Sequence, residues 1–369
     1  MTPTTKAKSA AATPRALGYR MPAEWAAHAA TWLAWPHNTA DWPGRFAPIP
    51  WIYADIVRLL AGGETVRIVV QDAAAKARAR RTLERNAVDL ARVALYVQPT
   101  DRVWTRDSGP IFVQSDAETA LVDFRFNAWA KYDNWTRDDR LPAFVAKRLG
   151  VRRFVAEVPG PDAKPRRLVL EGGSIDVDGA GAVMTTEECL LSPVQARTPG
   201  LSREEVERAL CEWLGVDRVL WLGRGIAGDD THGHVDDTAR FASEGTIVAC
   251  VEPDARDDNH APLADNLARI RAMRTAAGRP YEIAELPMPR PVVFDGQRLP
   301  ASYANFYVAN AGVLVPVFND PNDRIALDVL AACFRDRPVI PVYCRDLVWG
   351  LGTLHCMTQQ EPLARGRAG

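Results

Sequence analysis

A chain of 369 residues, 47% hydrophobic and 25% charged, carries enough apolar content for one large core or two ordinary ones. Its formal net charge of −1 comes without a basic stripe, which argues against nucleic acid as a partner. No run approaches the ~20 apolar residues of a membrane helix, and six cysteines without C-x-x-C spacing argue against a disulfide framework or a zinc ribbon and suit a reduced cytoplasm.

The first twenty residues are rich in Ala, Thr, Pro and Lys and lack the apolar centre of a secretory signal. Residues 1–17 read as a mobile tail ahead of a single domain over 18–369. Strands are expected at Thr31–Trp35, Thr65–Gln71, Val93–Gln98, Ala120–Phe126, Arg167–Glu171, Val219–Leu222, Thr246–Val251, Phe306–Val308, Val313–Val317 and Val339–Tyr343. Helices are expected between them. Trp51–Leu60 keeps Ile52, Ile56, Leu59 and Leu60 on one side, and Ala73–Arg85 is rich in Ala and Arg. Ser202-Arg203-Glu204-Glu205 has the form of a capping box, with Val206, Leu210 and Leu214 following at helical spacing. Pro262–Arg274 and Asp323–Phe334 complete the set. Alternation at short, even intervals excludes an all-α or all-β protein. It fits a doubly wound sheet or a cyclic array of small mixed units, and periodicity does not choose between them.

Four segments could carry chemistry. Trp104-Thr105-Arg106-Asp107-Ser108-Gly109-Pro110 reads first as a turn before the strand-like Ile111-Phe112-Val113. Its functional reading sets the Asp107 carboxylate beside the Trp104 ring, a receptor for a flat delocalised cation. In Leu170-Glu171-Gly172-Gly173-Ser174 a β-turn competes with a second anion placed where glycines allow close approach. Asp229-Asp230-Thr231-His232-Gly233-His234-Val235-Asp236-Asp237 packs four acids and two histidines into nine residues. The His-x-His-x-Asp spacing permits a zinc site on His232, His234 and Asp236. The pattern of metallo-β-lactamases expects His where Asp237 stands, so a metal-free role is preferred. On a strand, His234 and Asp236 would share a face. Finally, Cys356 follows a Gly350-Leu351-Gly352 turn that could present its thiol to a pocket, although most free cysteines are small core fillers. One thiol, one imidazole and the carboxylates of Asp107, Glu171 and Asp236 would suit a cationic guanidinium, which carboxylates grip bidentately and a thiolate can attack.

In that order the segments resemble the agmatine deiminases and bacterial peptidylarginine-type deiminases of the guanidine-modifying superfamily, over roughly residues 20–362. Met21-Pro22-Ala23-Glu24-Trp25 with Thr31–Pro36, Trp104 with Arg106–Pro110, Phe126-Asn127-Ala128-Trp129, Leu170–Ser174, Thr186–Leu191, Gly233–Asp236 and His355-Cys356-Met357-Thr358 all match. The resemblance implies an α/β-propeller, or pentein, of five mixed units around a central active site. It implies Cys356 as nucleophile, His234 as general acid and base, and Glu171 as its support. Asp107 and Asp236 would hold the guanidinium, with Trp104 and Trp129 in the pocket. No metal or organic cofactor is implied. The expected partner is a small cationic guanidino substrate, agmatine first, in the cytoplasm; association with further copies of the chain is compatible with the sequence.

One position departs from the family. Arg102, in Asp101-Arg102-Val103-Trp104, stands where an acid is expected. Lining the pocket, it would favour a carboxylate-bearing tail; pointing to solvent, it would be neutral. The rival substrates are arginine, a guanidino acid or peptidyl arginine. The rivals from other classes are a zinc hydrolase and a catalytically dead binding propeller.

Overall fold

The computed structural model describes residues 12–160, 162 and 164–364. The expected tail over 1–17 lies outside the described residues as far as residue 11. Arg15–Leu17 forms a short 3-10 turn, and Arg15 pairs with Asp217.

Five sheets repeat one plan: two antiparallel strands, then a helix that carries the chain to a third strand parallel to the second. Ile111–Gln114, Thr119–Asp123 and Arg152–Val155 use helix Leu141–Leu149 as the crossover. Asp176–Val177, Ala182–Thr186 and Arg218–Leu222 use helix Arg203–Leu214. Ala239–Ser243, Thr246–Val251 and Glu282–Pro287 use helix His260–Ala272. Tyr307–Ala309, Gly312–Val317 and Val339–Tyr343 use helix Asn322–Cys333. Both ends of the chain build the fifth sheet. Gln359–Pro362 lies antiparallel to His28–Ala34, which continues in parallel through Thr65–Val70 to Val93–Val97. Parallel pairing needs a crossover of a dozen or more residues, which explains the alternation seen in the sequence. Because the last strand pairs with the first, the units close into a ring, the α/β-propeller, rather than a doubly wound sheet.

Local chemistry accounts for the elements. Helix Ala73–Arg85 starts at Asp72, whose carboxylate accepts from Ala75 N, and it buries Ala75, Ala79 and Leu83 along one stripe. The capping box of Ser202 and Glu205 forms as the spacing predicts. Helix Ile49–Leu60 begins two residues before the expected start, with proline in its first turn. Two expectations change. Of the strand expected at Arg167–Glu171, only Arg167 lies in a strand, Pro165–Arg167. Val169 makes a single bridge to Arg125, and the chain turns over Gly172–Ser174. The segment around Asp107 is one helical turn, Thr105–Ser108.

The plan positions the site. The segment entering the first strand of each sheet carries a buried polar group. Asp107 precedes Ile111, Glu171 precedes Asp176, His234 and Asp236 precede Ala239, Asn305 precedes Tyr307, and Cys356 precedes Gln359. Hydrogen bonds among these segments, including Arg106 N–H to the Cys356 carbonyl, bring all five entrances together.

Candidate active site

Cys356, Asp107, Trp104, Trp129 and Arg102 line one cavity of about 320 Å³. His234, Asp236 and Glu171 lie in the buried wall beside them. All eight residues expected from the sequence therefore meet in one region. His234 and Asp236 do so without a strand. Val235–Asp237 is a 3-10 turn, and Gly233 enters it at φ +93°, a conformation that suits glycine.

The thiol of Cys356 is held from both sides. Asn305 Nδ2 lies 3.1 Å from its Sγ, and Asn305 Oδ1 accepts from Thr353 Oγ1 at 2.7 Å and from the backbone N–H of His355 at 3.1 Å. Asp236 Oδ2 stands 3.9 Å from the sulfur. Burial, followed by the charges of Asp236, Asp237 and Asp107, pushes the thiol well above its ordinary value. Asp237, beside it, is itself pushed well up by burial and then by Asp236.

Each carboxylate has a fixed partner. Asp107 accepts from Trp129 Nε1 at 2.9 Å and from Gly173 N at 3.1 Å. Burial raises it to about 6, with His234 opposing. To deliver that indole, Ala128, Trp129 and Ala130 adopt φ of +50°, +58° and +55° in succession, strain that the surrounding packing must hold. Glu171 receives the Arg197 Nε–H at 2.9 and 3.1 Å. Burial pushes Glu171 up, but Arg197 and then His234 outweigh it and keep it below the usual range. Asp236 Oδ2 bonds His355 Nδ1 at 2.7 Å. Burial raises Asp236, yet His355, His234 and Arg240 hold it low.

His234 sits between these acids. Its Nε2 is 3.5 Å from Glu171 Oε2, and its Nδ1 is 3.8 Å from Asp107 Oδ1 and 3.9 Å from Asp236 Oδ1. Burial pulls its pKa down, but Asp107, Cys189 and Glu171 push it well above the ordinary value, which favours imidazolium. Neither ring nitrogen of His234 has a hydrogen-bond partner among the described residues, and neither does Asp236 Oδ1. Gly173 makes this crowding feasible: a Cβ there would stand 2.5 Å from His234 Nδ1 and 2.8 Å from Asp107 Oδ1.

The zinc set is not assembled. His232 turns to Ser192 Oγ at 3.1 Å. Among the described residues the only trio spaced for an ion is Glu171, Cys189 and His234, and the Arg197 guanidinium already occupies Glu171. Arg102 lines the cavity rather than facing solvent, with its guanidinium on Asp41 and Asn134. Sequence reasoning missed Arg197, Asn305 and Asp41. Glu24 and His355 stand within the segments that carry the family resemblance, which assigns them no role of their own. Asn305 and Asp41 sit in no recognisable pattern, but Asn305 has the placement signal common to the other four, just before the first strand of a sheet.

A five-unit propeller that converges a thiol, an imidazolium and several carboxylates on one cavity has the plan of the guanidine-modifying enzymes. Within that class, the chain belongs to the Porphyromonas-type peptidyl-arginine deiminase family, whose model matches residues 20–362. It is 37% identical to an agmatine deiminase of Stutzerimonas stutzeri (95% of this chain, 97% of the relative). It is 35% identical to one from Ectopseudomonas mendocina (96% and 98%). The solved agmatine deiminase of Enterococcus faecalis superposes with a TM-score of 0.86 at 32% identity, covering 95% of this chain and 98% of that one.

Proposed function

We propose that the protein hydrolyses a small guanidino compound, agmatine, to N-carbamoylputrescine and ammonia through a covalent adduct on Cys356. One observation carries this reading. Asp236 Oδ1 is a buried acceptor without a hydrogen-bond partner among the described residues, on the carboxylate that stands 3.9 Å from the Cys356 sulfur. Buried polar groups are nearly always paired. An unpaired carboxylate oxygen beside a thiol marks the place of a ligand that brings N–H donors, and a guanidinium is such a ligand.

In this mechanism Asp107 and Asp236 hold the guanidinium, and its positive charge favours the Cys356 thiolate, whose proton passes to solvent. The sulfur attacks the central carbon. His234, as imidazolium, protonates the departing nitrogen, and ammonia leaves an S-alkylthiouronium. Neutral His234 then takes a proton from water, the hydroxide adds to the same carbon, and as the C–S bond breaks the added hydroxyl gives its proton to solvent and becomes the carbonyl. The ureido product departs and the thiolate returns. Glu171, fixed by Arg197, stabilises the imidazolium form between steps. Carboxylates supply the binding charge throughout, and no step calls on a metal or cofactor. A cavity of about 320 Å³ suits a small substrate better than a peptidyl arginine.

The test is a panel of agmatine, arginine, guanidinobutyrate and a peptidyl arginine, assayed for ureido product with and without chelator. Agmatine should lead, unaffected by chelation. Absence of ureido product from all four would overturn the reading.

A further inference from the structure

Two acid–base pairs stand at the cavity, each with its acid in the lining: Asp230 with Lys131 and Asp41 with Arg102. Lys131 and Tyr132 OH engage the two oxygens of Asp230, leaving neither free. Asp41 differs. Its side chain is 2% exposed, and its Oδ1 accepts from Arg102 Nη1 at 3.1 Å and from Asn38 Nδ2 at 3.2 Å. Its Oδ2 is buried without a partner. An ionised carboxylate offers about four acceptor sites, and half of these are unused here.

Arg102 is more fully committed. Nη1 is on Asp41 and Nη2 is on Asn134 Oδ1 at 3.1 Å, while its plane lies 4.1 Å from the centre of the Tyr132 ring. Its backbone N–H is anchored on Asp138. Nε has no partner, and each terminal nitrogen keeps a second N–H. With Nη1 and Nη2 tied to different acceptors and the Tyr132 ring against its face, the guanidinium is fixed in orientation. Asp41, by contrast, has a whole oxygen unused.

We propose that Asp41 Oδ2 receives the ammonium at the far end of an ω-aminoalkylguanidine, with Arg102 as the positioning residue that aims it. This rests on the deiminase reading. In this arrangement the arginine found where an acid was expected does not repel an amine, because it is paired with Asp41, which supplies the acid through its other oxygen. Specificity for a terminal amine then resides in one side chain of the turn Thr39–Asp41.

The experiment compares agmatine with butylguanidine, in which a hydrogen replaces the amine, and with guanidinobutyrate, in wild type and Asp41→Asn. Asp41→Asn is expected to lower kcat/KM for agmatine, mainly through KM, by about ten- to hundredfold more than for butylguanidine, the range of one charge-assisted hydrogen bond. Calorimetric binding of agmatine and butylguanidine to Cys356→Ser, with and without Asp41→Asn, reads the same preference independently of turnover. Equal losses for both compounds, or a wild-type preference for guanidinobutyrate, would overturn the subsite. Asp41-dependent binding of agmatine without any turnover would keep the subsite and overturn the deiminase reading instead.

Discussion

His355 Nδ1 lies 2.7 Å from Asp236 Oδ2, and both side chains are shut away from solvent. The other ring nitrogen lies 2.7 Å from Glu24 Oε2. Each ring nitrogen of His355 therefore faces a carboxylate oxygen, one on either side. Glu24 is in turn clamped by Arg106 and Arg240, which ties the Met21–Trp25 segment to the site. The bridge leaves Asp236 Oδ1 pointing free. Removing it in His355→Ala should raise KM for the guanidino substrate about tenfold or more and lower the melting temperature, since a buried charge loses its partner. His355→Asn, which can still donate toward Asp236, should recover part of the KM. If KM is unmoved in both variants while only the melting temperature falls, His355 is structural and does not orient Asp236.

Cys356→Ser should leave less than about a thousandth of wild-type kcat, equivalent to about 4 kcal/mol of barrier. A hydroxyl is a far weaker nucleophile, and the surrounding acids oppose its ionisation. Mass spectrometry of acid-quenched wild type should find the thiouronium adduct on the peptide that contains Cys356. Residual serine-variant activity above that level, or an adduct on another cysteine such as Cys189, would move the nucleophile elsewhere.

The three carboxylates should separate by kinetics. Asp107→Asn and Asp236→Asn each remove a charged contact to the guanidinium and let the reacting carbon drift, so KM should rise and kcat fall together. Glu171 faces His234 and Arg197 instead. Glu171→Gln should lower kcat about tenfold or more and spare KM. A Glu171→Gln variant with raised KM and wild-type kcat would place Glu171 on the substrate.

Most of the repeating elements could be read from the sequence because each carries a local signal. The Asp72 cap and the Ala75, Ala79 and Leu83 stripe define one helix, and the Ser202–Glu205 box opens another. The closing strand Gln359–Pro362 could not be read. Its four residues are polar or proline, yet all are buried, because Trp32 Nε1 and Arg67 satisfy Glu361 and Arg106 satisfies Gln360. Hydrophobic alternation cannot reveal a strand whose partners lie some 250 to 330 residues away. Helix Leu141–Leu149 was missed for a simpler reason: a Leu-Pro start resembles a break, although proline is at home in a first turn. In the site, acids and histidines clustered in sequence were visible. Asn305, Arg197 and Asp41 act through partners 26 to 61 residues distant, and only the fold brings them there.

The acid limb of the pH profile tests the charge on Asp107. Burial raises its carboxyl to about 6 in the ligand-free enzyme. As pH falls through that value Asp107 gains a proton and loses its grip on the guanidinium, which stays charged throughout. Because kcat/KM reports the free enzyme, whose raised Cys356 thiol must also lose its proton, it should already fall with pH above this value and steepen below about pH 6 by up to a further tenfold per unit. In the complex the cation holds Asp107 ionised, so the limb in kcat should lie at lower pH. His234, pushed well up, stays protonated on this side and adds no limb. Asp41 is also raised by burial to about 6 and would add its own limb with agmatine. Butylguanidine lacks the amine, so its kcat/KM carries no Asp41 limb. A butylguanidine profile whose slope does not change down to pH 5 would mean that Asp107 remains ionised there and that burial does not set its charge.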